Sequence, residues 1–375
     1  MLTDDQVMIR DMARSFSGDV LAPGAAAREA AREIEPQVRK SLGELGFLGM
    51  TISPEWDGAG ADYVSYAVGL EELARGDGAV STMVSVHNAP FLAILERFAS
   101  DAQKEAWLKP AARGEFIGCF ALTEPHAGSD AAALRTRAVR RNDGYVVSGA
   151  KQFISSARIG GATILFAVTD PEAGKRGISA FYAPRDMAGF HVAKVEEKLG
   201  QKASDTCALA FDGMHLPFEN RIGEEGEGYR IALSSLEAGR IGIAAQSVGM
   251  AQSAFDHALA YARERHSMGQ AIAEHQAVQF RLADMETQIE AARQMVLNAA
   301  RMKDAGVPCL REAAMAKLFA SEMAECVCSA AIQTFGGYGY LADYPVERIY
   351  RDVRVCQIYE GTSDIQKIII ARQWA

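Results

Sequence analysis

The strongest constraint on the fold is a change of hydrophobic period in the middle of the chain. From residue 3 to about 114, apolar positions recur at helical spacing: 4–16 is periodic, Pro36 suits the first turn of a helix ending at Gly46, and 63–75 and 81–98 continue the pattern. Between 115 and 225 the reading switches to strands, at 115–122, 136–140, 145–148, 163–169, 178–182 and 207–212, with Asn142-Asp143-Gly144 as a hairpin turn. From 226 the helical period returns in three long stretches, 229–266, 272–304 and 312–335, broken at Gly306-Val307-Pro308. Small residues along the first of these (Ala238, Gly239, Gly242, Ala244, Ala245, Gly249) allow close packing, and the short connections imply an antiparallel bundle. The expected fold class is α+β, mainly α. It has a helical N-terminal domain (1–114), a barrel-like middle β-domain (115–225) and a C-terminal domain resembling a four-helix bundle (226–375).

At 375 residues, 49% hydrophobic and 23% charged, the chain can bury two or three cores. No apolar run of membrane-spanning length is expected. Thr3-Asp4-Asp5-Gln6 opens as a helix start rather than a signal peptide, and no Arg-rich transit segment precedes it, so a cytoplasmic location is expected. The six cysteines are scattered; Cys326 and Cys328 point to different helix faces and lack a second ligand pair, which argues against a metal. A net charge of −9 argues against nucleic acid as a main partner, while a local basic patch could still hold an anionic small ligand.

The stretch with the most chemistry lies near the C-terminus, Gln357-Ile-Tyr-Glu-Gly-Thr-Ser-Asp-Ile-Gln366. Ser363 and Gln366 have the spacing of a capping box, so a helix should start there, with Gly361 freeing the backbone just ahead. Glu360 then sits in a tight turn beside a helix N-terminus. On position alone it reads either as a solvated turn glutamate or as a base whose environment is tuned by burial and the helix dipole. Upstream lies a Gly-rich, aromatic loop, Gln333-Thr-Phe-Gly-Gly-Tyr-Gly-Tyr340, without dinucleotide-binding spacing.

Together, 333–372 resembles the C-terminal end of the acyl-CoA dehydrogenase family, and the resemblance extends over the whole chain. It implies a FAD-dependent enzyme that converts an acyl-CoA thioester to a trans-2-enoyl-CoA and passes electrons to an electron-transferring flavoprotein. Glu360 would remove the α-proton. By the same resemblance, Thr123-Glu-Pro-His-Ala-Gly-Ser-Asp130 would hold the flavin through Leu122, Thr123 and Ser129, the serine also facing the thioester. His126, where glycine is frequent, is a rim substitution. Gly149-Ala-Lys-Gln-Phe-Ile-Ser-Ser156 would back the ring through Phe153, Ile154 and Ser155, and Ser204 would lie near CoA. Arg265, Ser267 and Gln276, with Gln333, Gly336 and Gly337, would bind the FAD of a neighbouring subunit, implying a homotetramer built as a dimer of dimers. Met268 replaces a usual phenylalanine there. Thr362 and Asp364 would contact the subunit's own FAD. Some relatives carry the base at the position of Gly239, which cannot serve; Arg240, Glu237 and Gly361 would contact substrate. Rival readings are a carrier-protein thioester as substrate, an acyl-CoA oxidase, or a non-catalytic nucleic-acid-binding flavoprotein, the last disfavoured by the acidic charge. The acyl tail is expected to end against Val84, His87, Asn88 and Phe91 on one side and 233–236 on the other, favouring short or branched chains.

Overall fold

In the computed structural model, which describes residues 1–374, helices bracket a central sheet. The N-terminal helices are α1 (Asp4–Phe16), α2 (Ala22–Ala31), α3 (Pro36–Glu44), α4 (Tyr63–Gly76) and α5 (Gly78–Phe98). Thr3 caps α1 in a reciprocal box with Gln6. A wide helical turn, Ser17–Leu21, runs α1 straight into α2, a helix that Pro23-Gly24 hid from the sequence reading. Proline is tolerated there because first-turn N–H groups have no helical acceptor.

α5 corrects an expectation. It is long and apolar enough to cross a membrane, yet 94% of its most apolar window is buried inside the protein, so it is the core helix. Pro90 interrupts its hydrogen bonding and a wide turn, His87–Leu92, absorbs the break. His87 and Asn88 lie in that turn and both are spent on structure. His87 Nδ1 accepts from the Gly118 N–H (2.9 Å), which leaves Nε2 to donate to the Ala111 carbonyl (3.0 Å). Burial pushes this imidazole down to about 4, so it stays neutral. Asn88 donates to the carbonyls of Phe47 and Val84 and accepts from the Met50 N–H. With Val84 and Phe91 wholly buried as well, this face is closed core rather than an exposed pocket floor.

The sheet has eight strands: β1 (Gly118–Ala121), β2 (Arg137–Arg141), β3 (Gly144–Ser155), β4 (Ala162–Val168), β5 (Ile178–Pro184), β6 (Phe190–Val195), β7 (Thr206–Pro217) and β8 (Arg221–Ile222). Their order is β6-β7-β3-β2-β4-β5-β8, with β1 pairing parallel to β4. The expected hairpin is present as β2–β3, closing at Gly144. The edge strand β6 was not legible, because it is short and mostly exposed and His191 and Lys194 interrupt its apolar residues. β3 pairs with β7 through a register shift between Lys151 and Ile154. That irregularity turns Phe153 outward, at φ +60° and 63% exposed.

The C-terminal helices are α6 (Gly228–Glu264), α7 (Gln276–Asp304), α8 (Leu310–Phe335), α9 (Pro345–Val353) and α10 (Ser363–Ala371). The small residues of α6 do what their spacing suggested. A Cβ on Gly249 would stand 2.0 Å from the Glu71 carbonyl oxygen, and one on Gly242 would stand 2.6 Å from the Tyr66 hydroxyl, so α6 lies directly on α4. One core joins α4 and α5 to the α6–α8 bundle, while the sheet has its own. The chain is α+β and mainly helical, with its sheet in the middle.

Candidate active site

α9 passes through a tight helical turn, Arg354–Gln357, into the segment that carries Glu360. Glu360 and Gly361 are both left-handed, at φ +55° and +93°. For glycine this costs little; for glutamate it costs about 1–3 kcal/mol and persists only where the surroundings impose it. Thr362, not Ser363, caps α10: its backbone is extended and its Oγ1 accepts from the Ile365 N–H (3.4 Å), whereas Ser363 is already helical. Gln366, buried, does not close a capping box. Its Nε2 donates back to the carbonyls of Gly361 (2.8 Å) and Glu360 (3.3 Å).

The Glu360 side chain points at α6. A Cβ on Gly239 would stand 2.6 Å from its Oε2, so glycine there is the space the carboxylate occupies. Oε2 is enclosed and has no hydrogen-bond partner among the described residues, and the same holds for Nε of buried Arg240, the next residue along α6. Burial raises the Glu360 carboxyl above the ordinary range; the nearby Arg240 and Lys317 charges pull it back only in part. Next to it, the Tyr359 hydroxyl donates to Gln246 Oε1 (2.6 Å), and Gln246 Nε2 donates to the Gly78 carbonyl (2.8 Å) and Ser81 Oγ (2.9 Å). The turn is thus tied to both α5 and α6.

A second group forms a rim on the sheet. Gln152 N–H donates to the Thr123 carbonyl (2.9 Å), and Lys151 Nζ donates to the Leu122 carbonyl (3.0 Å), so Leu122 and Thr123 lie beside Phe153, Ile154 and Ser155. Beneath them Lys151 is paired with buried Glu124 (2.8 Å). The side chain of Ile154 faces the sheet core, and its main chain pairs with Cys207 of β7. Ser129 is exposed on the turn beyond, and His126 Nε2 stands 3.6 Å from Glu124 Oε2.

A loop at 196–206 links this rim to the glutamate turn. Ser156 N–H donates to the Asp205 carbonyl (2.9 Å), while Gln201 donates through its N–H to Asp352 and accepts from Thr82 Oγ1 (2.6 Å). Burial pushes Asp352 up to about 7. Ser204 lies buried in this loop with Oγ unpartnered.

A third group stands at the far end of the bundle. Arg265, Gly336 and Gly337 line an open cavity of about 420 Å³ with Tyr261 and Tyr338, the guanidinium 5.7 Å from the Tyr338 ring centre. Gln333, Ser267 and Gln276 are exposed nearby in sequence but outside that lining, and Met268 is exposed at φ +52°. Three further expected residues stand in other parts of the helical domain. Glu237 is paired with Lys303 (3.0 Å), Thr362 serves as a cap, and Asp364 is exposed in the first turn of α10.

These groups suit a flavin dinucleotide. A flat ring system needs an exposed apolar face, which the Phe153 rim offers, and a diphosphate needs an accessible guanidinium, which Arg265 offers. Five of the seven non-glycine residues with positive φ (Phe153, Ser156, Gln201, Met268, Glu360) fall in the segments that the sequence singled out for ligands. Sequence reasoning missed Lys317, Gln246, Tyr66 and Lys151. For Lys317 a signal existed: a lone lysine in the apolar run 313–320.

Comparison with known proteins agrees. The chain matches the acyl-CoA dehydrogenase N-terminal domain over residues 3–115, the middle domain over 119–214 and the C-terminal domain over 226–375. It is 44% identical to an acyl-CoA dehydrogenase of Bacillus subtilis over 371 residues, 99% of this chain and 98% of the other. It superposes on butyryl-CoA dehydrogenase from Megasphaera elsdenii with a TM-score of 0.98 at 38% identity, covering 100% and 99% of the two chains. A chain solved with the electron transferring flavoprotein of Acidaminococcus fermentans, in work on flavin-based electron bifurcation, gives 0.98 at 42% identity, covering 100% and 98%. A glutamate with an enclosed, unpartnered carboxylate oxygen facing a glycine therefore sits in a chain that belongs to the acyl-CoA dehydrogenase family.

Proposed function

We propose that this FAD-dependent acyl-CoA dehydrogenase oxidises short or branched acyl-CoA thioesters, with Glu360 as the base that takes the α-proton. The observation that carries the base assignment is the Glu360 carboxylate itself, enclosed against Gly239 with Oε2 left without a donor. A carboxylate raised by burial gains from accepting a proton, which is the direction the reaction requires. The Glu360 N–H has no main-chain acceptor among the described residues, so it is free to donate to the thioester oxygen as charge builds there. Arg240, buried one residue beyond Gly239, would keep Glu360 ionised until the proton moves. FAD, when bound, supplies the acceptor for the hydride that leaves Cβ. Leu122, Thr123, Ser129, Phe153, Ile154 and Ser155 would hold its ring, with Thr362 and Asp364 nearby. Arg265, Ser267, Gln276, Gln333, Gly336 and Gly337 would hold the diphosphate and adenine end of a neighbouring subunit's FAD. Ser204, Glu237 and Gly361 would lie along the thioester and CoA.

The short-chain reading is supported by the butyryl-CoA dehydrogenase likeness and by Tyr66, whose hydroxyl fills the space under Gly242 and stands 3.3 Å from Ser85 Oγ. An electron-transferring flavoprotein as acceptor is supported by the Acidaminococcus likeness. Exposed apolar side chains on the C-terminal helices, among them Phe280, Phe319 and Ile368, support self-association into a homotetramer. The same reading places the enzyme in the cytoplasm and divides the chain into units at 1–114, 115–225 and 226–375. Anaerobic bleaching of the bound flavin by butyryl-, isobutyryl-, 2-methylbutyryl-, octanoyl- and palmitoyl-CoA tests the substrate class. Fastest reduction by a four- or five-carbon acyl group is expected, since each methylene that fits is worth about 0.8 kcal/mol and one that clashes costs more. A maximum at palmitoyl-CoA would exclude it.

A further inference from the structure

The strained Glu360–Gly361 turn is also held from α8, where a lysine is buried in the apolar centre of the helix. Lys317 is fully buried, and its Nζ donates to the Gly361 carbonyl (2.7 Å). Gln366, equally buried, donates to the same carbonyl from α10 (2.8 Å) and reaches the Glu360 carbonyl as well (3.3 Å). Two donors from two helices thus converge on one acceptor. They fix the carbonyl that follows Glu360, and with it the left-handed backbone that aims the carboxylate at Gly239.

We propose that Lys317 is a positioning residue for the base: it clamps the Glu360 turn through the Gly361 carbonyl, jointly with Gln366, and its charge holds Glu360 ready as a carboxylate. The inference rests on Glu360 being the base. The titratable groups near Glu360 are Arg240 from α6, Lys317 from α8 and Tyr66 from α4. Only the first two are cations, and only Lys317 also bonds the turn. Lys317 is itself surrounded by Cys356, Glu360, Arg240 and Glu322, and burial lowers it to about 8. Its charge is therefore available at neutral pH and lost in mildly alkaline solution. Arg240 has no bond to the turn among the described residues, so the two cations divide the work: one faces the carboxylate from α6 and one fixes its backbone.

The test uses the holoenzyme and single-turnover flavin reduction by butyryl-CoA across pH, for wild type, Lys317→Met, Gln366→Leu and Glu360→Gln, with FAD content and thermal midpoint measured on each. Removing a cation raises the pKa of a nearby carboxylate. Lys317→Met should therefore move the acid limb of the second-order reduction profile upward by about 1 unit, a shift typical of losing one close opposite charge. It should also slow reduction about tenfold above that limb. Gln366→Leu, which loosens the same turn without removing charge, should slow reduction with the limb unmoved; this separates clamping from charge. A Lys317→Met enzyme that retains FAD with the wild-type limb and rate, while Glu360→Gln is inactive, overturns the proposal. Lys317→Met that loses FAD or folds poorly shifts the decision to Lys317→Gln, for which the same upward movement of the limb is required. Reduction persisting in Glu360→Gln instead removes the base assignment, and the positioning role with it.

Discussion

Two glutamates of this chain sit in turns, Glu124 buried and Glu360 half-buried with one carboxylate oxygen enclosed, and they are handled in opposite ways. Glu124 is saturated: Lys151 Nζ (2.8 Å) and the Thr136 N–H (3.0 Å) donate to one oxygen, and the Arg135 N–H (2.6 Å) donates to the other. Burial, the largest single influence on it, would raise its carboxyl. The Lys151 charge and these bonds together outweigh burial and hold it below the ordinary range. Glu360 is starved: two cations are near, neither bonds it, one oxygen has no partner, and burial wins. Burial alone therefore does not decide whether a carboxyl is raised or lowered. The number of donors does, because each satisfied lone pair stabilises the charged form that a base must be able to give up.

The contrast can be broken most sharply at Glu360. Glu360→Gln should lower turnover by at least about 10²–10⁴-fold, the usual range for loss of a general base, while FAD remains bound. Its stability should move the other way. A carboxyl raised in the folded state contributes stability below its unfolded pKa and loses it as pH rises through the folded value. The variant should therefore melt no lower than wild type at neutral pH, with the gap closing in acid. A marked fall in melting temperature would mean that Glu360 is structural after all.

Glu124→Gln should show the reverse pattern. It leaves Lys151, itself lowered to about 8 by burial, without its counter-charge; breaking such a buried pair costs about 3–5 kcal/mol. Because the Glu124 carboxyl is lowered in the fold, its contribution is present above the ordinary carboxylate pKa and is lost as pH falls from there through the lowered folded value. Denaturant melts at pH 7 and pH 4 should thus differ more for wild type than for the variant. The flavin would be held more weakly because the Leu122 carbonyl accepts from the same Lys151.

The smallest expected effect sharpens the geometry. Gly239→Ala puts a methyl 2.6 Å from Glu360 Oε2, which the flexible end of that side chain can yield to by turning aside. Reduction should slow by about tenfold, since displacements near 1 Å at a reacting group can cost up to about 10²-fold, with FAD affinity and thermal midpoint unchanged. Wild-type rates in this variant would show that the carboxylate works from another rotamer.

The helix–sheet–helix order, the hairpin at 142–144 and the long helices were legible in the chain, since period, turn chemistry and small-residue spacing are local properties, whereas Glu360 as a base was implied only by the family resemblance. Other features were not. Edge strand β6 hides because an edge needs no apolar alternation, and α2 hides behind a proline that a first turn tolerates. Gln366 looked like half of a capping box. Only the packing of α10 against the turn showed that it bonds the carbonyls of Glu360 and Gly361 instead. His87 and Asn88 looked like pocket floor, and the approach of the Ala111 and Phe47 segments made them core struts. By itself the sequence determined which elements form and which residue types cluster near the C-terminus. Tertiary structure alone decided which polar groups are satisfied. Partner count depends on backbone atoms distant in the chain, as when Lys317, 43 positions from Glu360, meets Gly361, and no local pattern encodes that meeting.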